Sequence, residues 1–458
     1  MMAETSKIST RLIELLRAAD RNDKVEALVV HRADARSDVS ERQGTRALAK
    51  RLKAIRGQVK SQQIVAHKFV ADYEATSKKA VKLGSPLRAT PVSGSVLPVA
   101  RVEVTSKTVE ILEADPNVLA VMANQHVHLI EPKEIDYQDL HHQELKDGTT
   151  WGLKELLIPD LWERAKTKGH GVRVAVLDTG VFGDHPALAG RVKDFVLIDP
   201  LLRRIACKPT FDPGQHGTHV CGTIAGGATD RDVAIGVAPD AELFVAGVLF
   251  GQSNLFQLVE GLGWAAENGV DIVSMSLGFS HYEPMFSELL QFLRDQYDIL
   301  PVVAIGNENH GNTSCPGNVH SAFSVGAVEK LAGGKLGVSF FSSGASLTFP
   351  GKQPPLIHKP DLVAPGHQVL SCIPQRKHDG STFDYNYMSG TSMATPHVAG
   401  VAAVLMSAYK DASLDDIVQA LITTAEHPDG ATGAPDNRWG YGTVRPVEAL
   451  HKLQQTQE

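Results

Sequence analysis

The apolar positions in the rear two-thirds of the chain fall in short, near-continuous runs. Residues 172–177 read Val-Arg-Val-Ala-Val-Leu, 272–275 read Ile-Val-Ser-Met, and 300–305 read Leu-Pro-Val-Val-Ala-Ile. Runs of this length, rich in Val and Ile, predict parallel strands buried on both faces. Segments 241–248 and 322–328 extend the series, and 216–225, 255–268 and 285–296 carry apolar residues at helical spacing. Strand and helix alternate, which predicts an α/β architecture with a doubly wound, mostly parallel sheet. Several runs end in a polar residue beside glycine: Asp178-Thr179-Gly180 after one, Gly306-Asn307 after another. Ligands of open α/β sheets bind outside that carboxyl edge.

The front third reads differently. Residues 8–19 alternate apolar and charged positions at helical spacing, an amphipathic helix within a segment 1–24. A short strand is predicted at 26–31. A helix follows over 45–59, with Leu48, Leu52, Ile55 and Val59 on one face. Residues 97–104 read as strand and 106–114 as helix, broken by Asp115-Pro116-Asn117. Two strands, 118–122 and 126–130, flank Asn124-Gln125. The order β-α-β-α-β-β is that of a small α+β domain over 25–135, with 61–95 fitting poorly and reading as an insertion. Residues 136–150 are polar and read as an exposed linker, the expected place for a processing cut. The body then runs from 151 to 452.

Composition changes this picture little. The chain has 458 residues, 43% hydrophobic and 21% charged, as in globular proteins, and no apolar run of membrane-spanning length. Charge is uneven. Residues 1–100 carry 19 Lys plus Arg against 10 Asp plus Glu, a net of +9, so the remainder carries −16 of the chain total of −7. A basic front and an acidic body attract each other. Nucleic acid is not an expected partner, since no aromatic stacking pattern accompanies the basic residues, and no membrane partner is expected. The start lacks a signal peptide's apolar core, so the expected location is cytoplasmic, or secreted if the true start lies upstream. Cys207, Cys221, Cys315 and Cys372 form no C-x-x-C pair, and reduced thiols are expected.

Candidate chemistry centres on Ser389-Gly390-Thr391-Ser392-Met393-Ala394-Thr395-Pro396-His397. A small-residue turn delivers Ser392 to the start of an apolar helix. There the helix dipole and unpaired N–H groups favour a developing oxyanion. A Ser/Thr helix cap is the plainer alternative. His216, in Gln215-His216-Gly217-Thr218-His219, also opens a small-residue helix, and Asp178 ends a buried strand. A nucleophilic serine needs such a base, and the base such an orienting acid. Asn307 at another strand end suits an oxyanion donor, or else a turn residue. Taken singly, Asp178 as a cap and Asn307 as a turn residue are the commoner readings. It is the combination that favours chemistry.

These segments resemble the subtilisin-like serine proteases (subtilases). The order Asp178, His216, Asn307, Ser392 is the family's. His185-Pro186-Ala187-Leu188, Gly236-Val237-Ala238-Pro239, Ser274-Met275-Ser276-Leu277-Gly278, Phe341-Ser342-Ser343-Gly344, Pro360-Asp361-Leu362-Val363-Ala364-Pro365-Gly366 and Trp439-Gly440-Tyr441-Gly442 are similar to family segments. The likeness spans residues 150–452. It implies a subtilisin-like fold and a serine endopeptidase made as a zymogen, with catalytic Asp178, His216 and Ser392 and oxyanion donor Asn307. Protein or peptide substrates would pair with Ser276, Leu277 and Gly278. Ala304 and Gly306 would help line the first specificity pocket. Small and apolar linings favour Leu, Phe, Tyr or Met before the cut, whereas Glu308 could draw Lys or Arg. Residues 249–256 would form the opposite wall through Leu255 and Phe256, which could equally be core.

The 25–135 domain is similar to the family's inhibitory propeptide, an intramolecular partner whose tail can fill the cleft. The chemistry requires no cofactor and the expected catalytic metal is none. Structural calcium is a family habit, for which Asp230 and Asp232 offer oxygens, although Arg231 sits between them. The rival reading is a peptide-binding regulator held permanently blocked by its N-terminal domain.

Overall fold

The computed structural model describes residues 6–20, 22–33, 44–80, 87–92, 94, 96–133, 140–280, 282–283, 286–349, 352–378, 381–430 and 434–457. The front portion contains α1 (Thr10–Ala18), β1 (Val25–His31), α2 (Gly44–Ala80), β2 (Ala89–Pro91), β3 (Val99–Val104), α3 (Val109–Ala114) and β4 (Val118–Ala123). Its antiparallel sheet has the order β2-β3-β1-β4. Side chains alternate along β1: Leu28 and Val30 join one cluster, Ala27 and Val29 another. Side chains on successive strand residues point to opposite faces, so this sheet is buried on both sides. One face packs on α1, α3 and the rear of α2. The other shares a continuous apolar cluster with the body, including Phe244, Phe256, Leu277 and Leu290.

The front portion departs from the sequence expectation in four places. First, α2 is one 37-residue helix, not a 45–59 helix followed by an insertion. Its buried stripe runs 51, 55, 58, 62, 66, 69, 73, 77. Arg51, Gln58 and Gln62 occupy apolar places in that stripe, which hides the period from a hydropathy reading. Second, the strand expected at 126–130 does not belong to the front sheet. It is β5 (His128–Leu129), and it pairs with the body. Third, the expected linker contains a helix, α4 (Leu140–Asp147), and Glu144, Thr149 and Thr150 are buried. Glu144 accepts from the Trp151 backbone N–H at 2.8 Å and from the Tyr387 hydroxyl. The rest of that linker, 136–139, lies outside the described residues. The segment 1–24 is not separate either: Ser9 N–H bonds Val121 O at 2.8 Å and ties α1 to β4.

The body continues with α5 (Trp151–Glu155), α6 (Ile158–Ala165), β6 (Arg173–Asp178), β7 (Val192–Ile198), β8 (Arg204–Ala206), α7 (His216–Ala225), β9 (Glu242–Gly247), α8 (Leu255–Glu267), β10 (Ile272–Met275), β11 (Leu277–Gly278), α9 (Phe286–Tyr297) and β12 (Leu300–Ala304). There follow β13 (Phe323–Lys330), β14 (Leu336–Val338), β15 (Ala345–Thr348), β16 (Leu356–Lys359), β17 (Leu362–Pro365), β18 (Val369–His378), β19 (Ser381–Met388), α10 (Thr391–Ala408), α11 (Leu414–Thr423) and α12 (Pro446–Gln457). The main sheet has the order β14-β13-β12-β10-β6-β9-β7-β8, with β17 also on β13. Only the β7–β8 and β13–β14 pairs are antiparallel. This is the doubly wound, mostly parallel α/β sheet that the apolar runs predict.

Helix α10 is apolar around its circumference and is buried along nearly its whole length beneath the sheet. Pro396 is the sixth residue of this helix. A proline there deprives the carbonyl four residues back, that of Ser392, of its helical donor. The Ser276 hydroxyl supplies the bond instead, at 3.1 Å. Among the described residues no helix is long and apolar enough to cross a membrane.

Candidate active site

Three strand ends and two helix starts converge at the carboxyl edge of the main sheet. Asp178 ends β6 and is fully buried. His216 opens α7, and its Nδ1 lies 2.8 and 3.0 Å from the two Asp178 carboxylate oxygens. Gly217 makes this approach feasible: a Cβ there would strike the Gly180 carbonyl oxygen. Thr179 also donates to Asp178, by its backbone N–H at 2.7 Å.

Asp212 organises the loop beneath, a role that sequence reasoning missed. It accepts from Thr179 Oγ1 at 2.8 Å, Thr218 Oγ1 at 2.7 Å and the Gly214 N–H at 2.9 Å. Its signal in the sequence is Asp212-Pro213-Gly214, a turn acid just ahead of the histidine.

Burial draws the His216 imidazole toward its neutral form. The Asp178 carboxylate, with Asp212 and Glu131 nearby, more than reverses this, so its pKa stands above that of an ordinary histidine. Two neighbouring histidines go the other way. His219 is pushed down to about 3 by burial and by the nearby His216. His397 is pushed down to about 4 by burial. Both are neutral packing residues, and His219 Nε2 sits 3.0 Å from Val369 O.

Ser392 is the second residue of α10 and is fully buried, beneath residues 126–133. That segment crosses the cleft as an added strand. Leu129 pairs with Leu277 and His128 with Gly278, antiparallel. The Ile130 N–H bonds Ser276 O at 3.3 Å, and the Val127 N–H bonds Ser253 O at 3.1 Å. Beyond Ser392 the Lys133 N–H bonds Ser389 O at 2.7 Å. Thus Ser276, Leu277 and Gly278 form one edge of the cleft.

The opposite edge is 249–254, not Leu255 and Phe256, which are buried in the core shared with the front sheet. Ala304 ends β12 and Gly306 follows it two residues on, and both are buried. Gly306 exchanges hydrogen bonds of 3.2–3.3 Å with the Thr391 hydroxyl, and Ala304 continues β12 beside β13.

Ser392 and Asn307 grip successive carbonyls of this strand. The Ser392 hydroxyl donates to Ile130 O at 2.9 Å, and Asn307 Nδ2 donates to Glu131 O at 2.8 Å. The Asn307 carbonyl oxygen accepts from the Thr391 N–H at 2.9 Å, which fixes the amide's orientation. Gly390 is required here, since a Cβ would come 2.9 Å from Asn307 Nδ2. His216 Nε2 is buried and has no hydrogen-bond partner. The serine proton therefore points at a peptide carbonyl and not at the imidazole. No single carbonyl is presented to both Ser392 and Asn307.

Among the described residues no group of three or more His, Cys, Asp or Glu is gathered to hold a metal. The Asp230–Asp232 turn is closed by its own backbone, Thr229 N–H to Val233 O at 2.8 Å. All four cysteines are free; burial raises the Cys221 and Cys315 thiols well above the ordinary range and Cys372 to about 12.

A family pattern described as the subtilase family matches residues 169–442. M-protease of Shouchella clausii (strain KSM-K16) is 34% identical over 313 residues, 68% of this chain and 69% of that protein. The major intracellular serine protease of Bacillus subtilis (strain 168) is 34% identical over 322 residues, 67% of this chain and 91% of the relative. Among solved structures, fervidolysin from Fervidobacterium pennivorans, described as a keratinolytic enzyme related to subtilisin, superposes with a TM-score of 0.65 at 22% identity. That likeness covers 94% of this chain and 61% of fervidolysin, and it bears on the fold alone.

Proposed function

The chain belongs to the subtilase family and is a serine endopeptidase of that family, and from this premise we propose that Asp178, His216 and Ser392 are its catalytic triad and that the structure is its zymogen. One observation carries the proposal: an extended segment of the chain lies in the cleft with Ser392 and Asn307 bonded to its carbonyls, beside a His216 held by Asp178. With a substrate in place of that segment, Ser392 Oγ attacks the scissile carbonyl carbon. His216 Nε2 takes the serine proton and passes it to the leaving amine. Asp178 holds Nδ1–H and stabilises the imidazolium, and Asn307 Nδ2 with the Ser392 backbone N–H receives the oxyanion. Water then repeats the sequence on the acyl-enzyme.

The zymogen reading follows from register. In-line attack needs one carbonyl carbon beside Ser392 Oγ while its oxygen occupies the Asn307 site. Here those places are taken by residues 130 and 131 in turn, so the seated strand carries one residue too many across the centre. The bond after Glu131 also leads into Pro132, whose nitrogen has no N–H. The segment binds as substrates bind and resists cutting.

Ile130 occupies the position before the cut on the Ser276 side and is only 4% exposed. A hydrophobic residue is the preferred occupant, since burying one contributes about 1.5–3 kcal/mol. Glu308 is exposed, and its attraction for Lys or Arg is worth about 0–1 kcal/mol.

The test is labelling with a sulfonyl fluoride. Ser392 of the intact chain should react slowly, and the same serine should react rapidly once residues 1–133 are removed, together with gain of casein hydrolysis. Equal labelling before and after removal would contradict the zymogen reading. Labelling at another serine would contradict the triad.

A further inference from the structure

Position 51 lies on the buried stripe of α2, where spacing calls for an apolar residue, yet it is arginine. Its guanidinium enters the body at the end of the sheet opposite Ser392. Nη1 donates to Asp271 Oδ1 at 2.5 Å, and Nη2 donates to Val270 O at 2.9 Å and Tyr297 O at 3.1 Å. Tyr297 is the last residue of α9, and Val270 lies three residues past the end of α8. Carbonyls at helix C-termini lack helical donors and carry the negative end of the dipole. Asp271 adds a full charge between them and is fixed in place, its Oδ2 accepting from the Arg173 N–H at 2.8 Å. Three acceptors in a fork, two of them backbone, match a planar guanidinium and not a point-charge ammonium. Left empty, the cage would hold a carboxylate against two carbonyls, one of them at the negative end of α9.

We propose that Asp271 with the Val270 and Tyr297 carbonyls is a guanidinium site, and that Arg51 is the latch by which the front portion holds its tail in the cleft. The linkage is mechanical. Ile55 and Phe69, on the same stripe, fix α2 to the body's core and to the front sheet respectively. The Tyr297 hydroxyl donates to Val96 O at 2.7 Å, and the Arg101 guanidinium covers the Phe256 ring at 5.3 Å. Strand β4 of that sheet runs directly into residues 124–133. If α2 and the sheet lift as one unit, they pull β5 from β11. Arg51 touches nothing in the cleft and is a positioning residue. The inference rests on reading 126–133 as the inhibitory segment.

Hydrogen exchange on the full chain carrying Ser392→Ala, which cannot cut itself, tests the latch. In Arg51→Ala the cleft amides of Val127 and Ile130 should exchange about 10-fold faster or more, the loss expected for hydrogen bonds to a charged group. Asp271→Asn should act in the same direction, and the double variant should exceed neither single change by much. Millimolar methylguanidinium should slow exchange in Arg51→Ala toward the parent rate and leave the double variant unaffected.

Parent-like cleft exchange in Arg51→Ala, or no response of that variant to methylguanidinium, overturns the proposal. Should Arg51→Ala not fold, Arg51→Lys keeps the charge without the fork. Faster cleft exchange in it supports the latch, and the parent rate overturns it. The readout is indifferent to catalysis. Failure of the inhibitory reading would appear separately, as full-rate sulfonyl labelling of Ser392 in a wild-type chain whose cleft amides remain protected.

Discussion

At the scale of single residues, the site divides into groups that react and groups that hold them. Ser392→Ala should abolish hydrolysis of casein while melting stays within a few degrees, because one hydroxyl at a cleft floor contributes little packing. Asn307→Ala should lower kcat by about 10²–10³ with KM nearly unchanged, the signature of a donor that acts on the oxyanion. A raised KM at constant kcat would contradict that role. His216 carries a pH prediction. Its pKa in the shut chain is raised, in part by Glu131, a residue of the cleft-filling segment. A raised folded-state pKa means that the protonated imidazole's stabilisation is fully present below about 6.5 and is lost as pH rises through the raised value. The segment is therefore held most firmly at low pH and released more readily as His216 loses its proton. Glu131→Gln, in a Ser392→Ala background, should lower the His216 pKa; ring-proton NMR titration measures it, and an unchanged midpoint would remove Glu131 from the account. The four chemical residues were legible in the sequence because each stands where a pattern breaks: an acid ending an apolar run, a histidine or serine opening a small-residue helix. Asp212 and Arg51 were not, since a turn acid and one arginine in a basic helix look ordinary until their partners, 6 and 220 positions away, are brought beside them.

At the scale of elements, the body's strands were readable from continuous apolar runs, because a sheet covered on both faces has no polar positions to blur them. The front portion was harder. Polar residues in the buried stripe of α2 broke its period, and 126–130 looked like a partner for 118–122. Strand propensity identifies a strand but not the sheet it joins, and β5 finds its neighbour across the cleft. Helix α4 was hidden by its polar composition, and one of its carboxylates, Glu144, ties it to Trp151 and Tyr387. Burial raises the pKa of Glu144, which the Tyr387 and Trp151 donors offset only in part. Glu144→Ala should remove the acceptor that the Trp151 N–H and the Tyr387 hydroxyl share and cost about 1–3 kcal/mol. Added trypsin should then cut at Lys146 more readily. Unchanged resistance at that bond would mean that α4 is held by something else.

At the scale of the whole molecule, the front sheet and the body share one apolar core. The uneven charge would draw the two portions together, and among the described residues the ion pair that joins them, Arg51 with Asp271, is buried and resists screening by salt. Profiling the processed enzyme against a mixed peptide library should return Leu, Ile, Phe, Tyr or Met before the cut, and cleavage confined to Lys or Arg would shift the specificity to Glu308. The processing cut should fall between Lys133 and Leu140, in bonds that belong neither to the seated segment nor to α4. Because the bonds at 130–131 and 131–132 are held out of register, that cut should be made by another molecule, and its rate should rise with protein concentration. The most direct test of the account is intact-mass analysis over time of the wild-type chain and Ser392→Ala side by side. The account predicts that wild type loses its first 133–140 residues while peptidase activity appears in step, and that Ser392→Ala remains one chain. A Ser392→Ala chain that shortens at the wild-type rate, or a wild-type chain fully active while still intact, would contradict it.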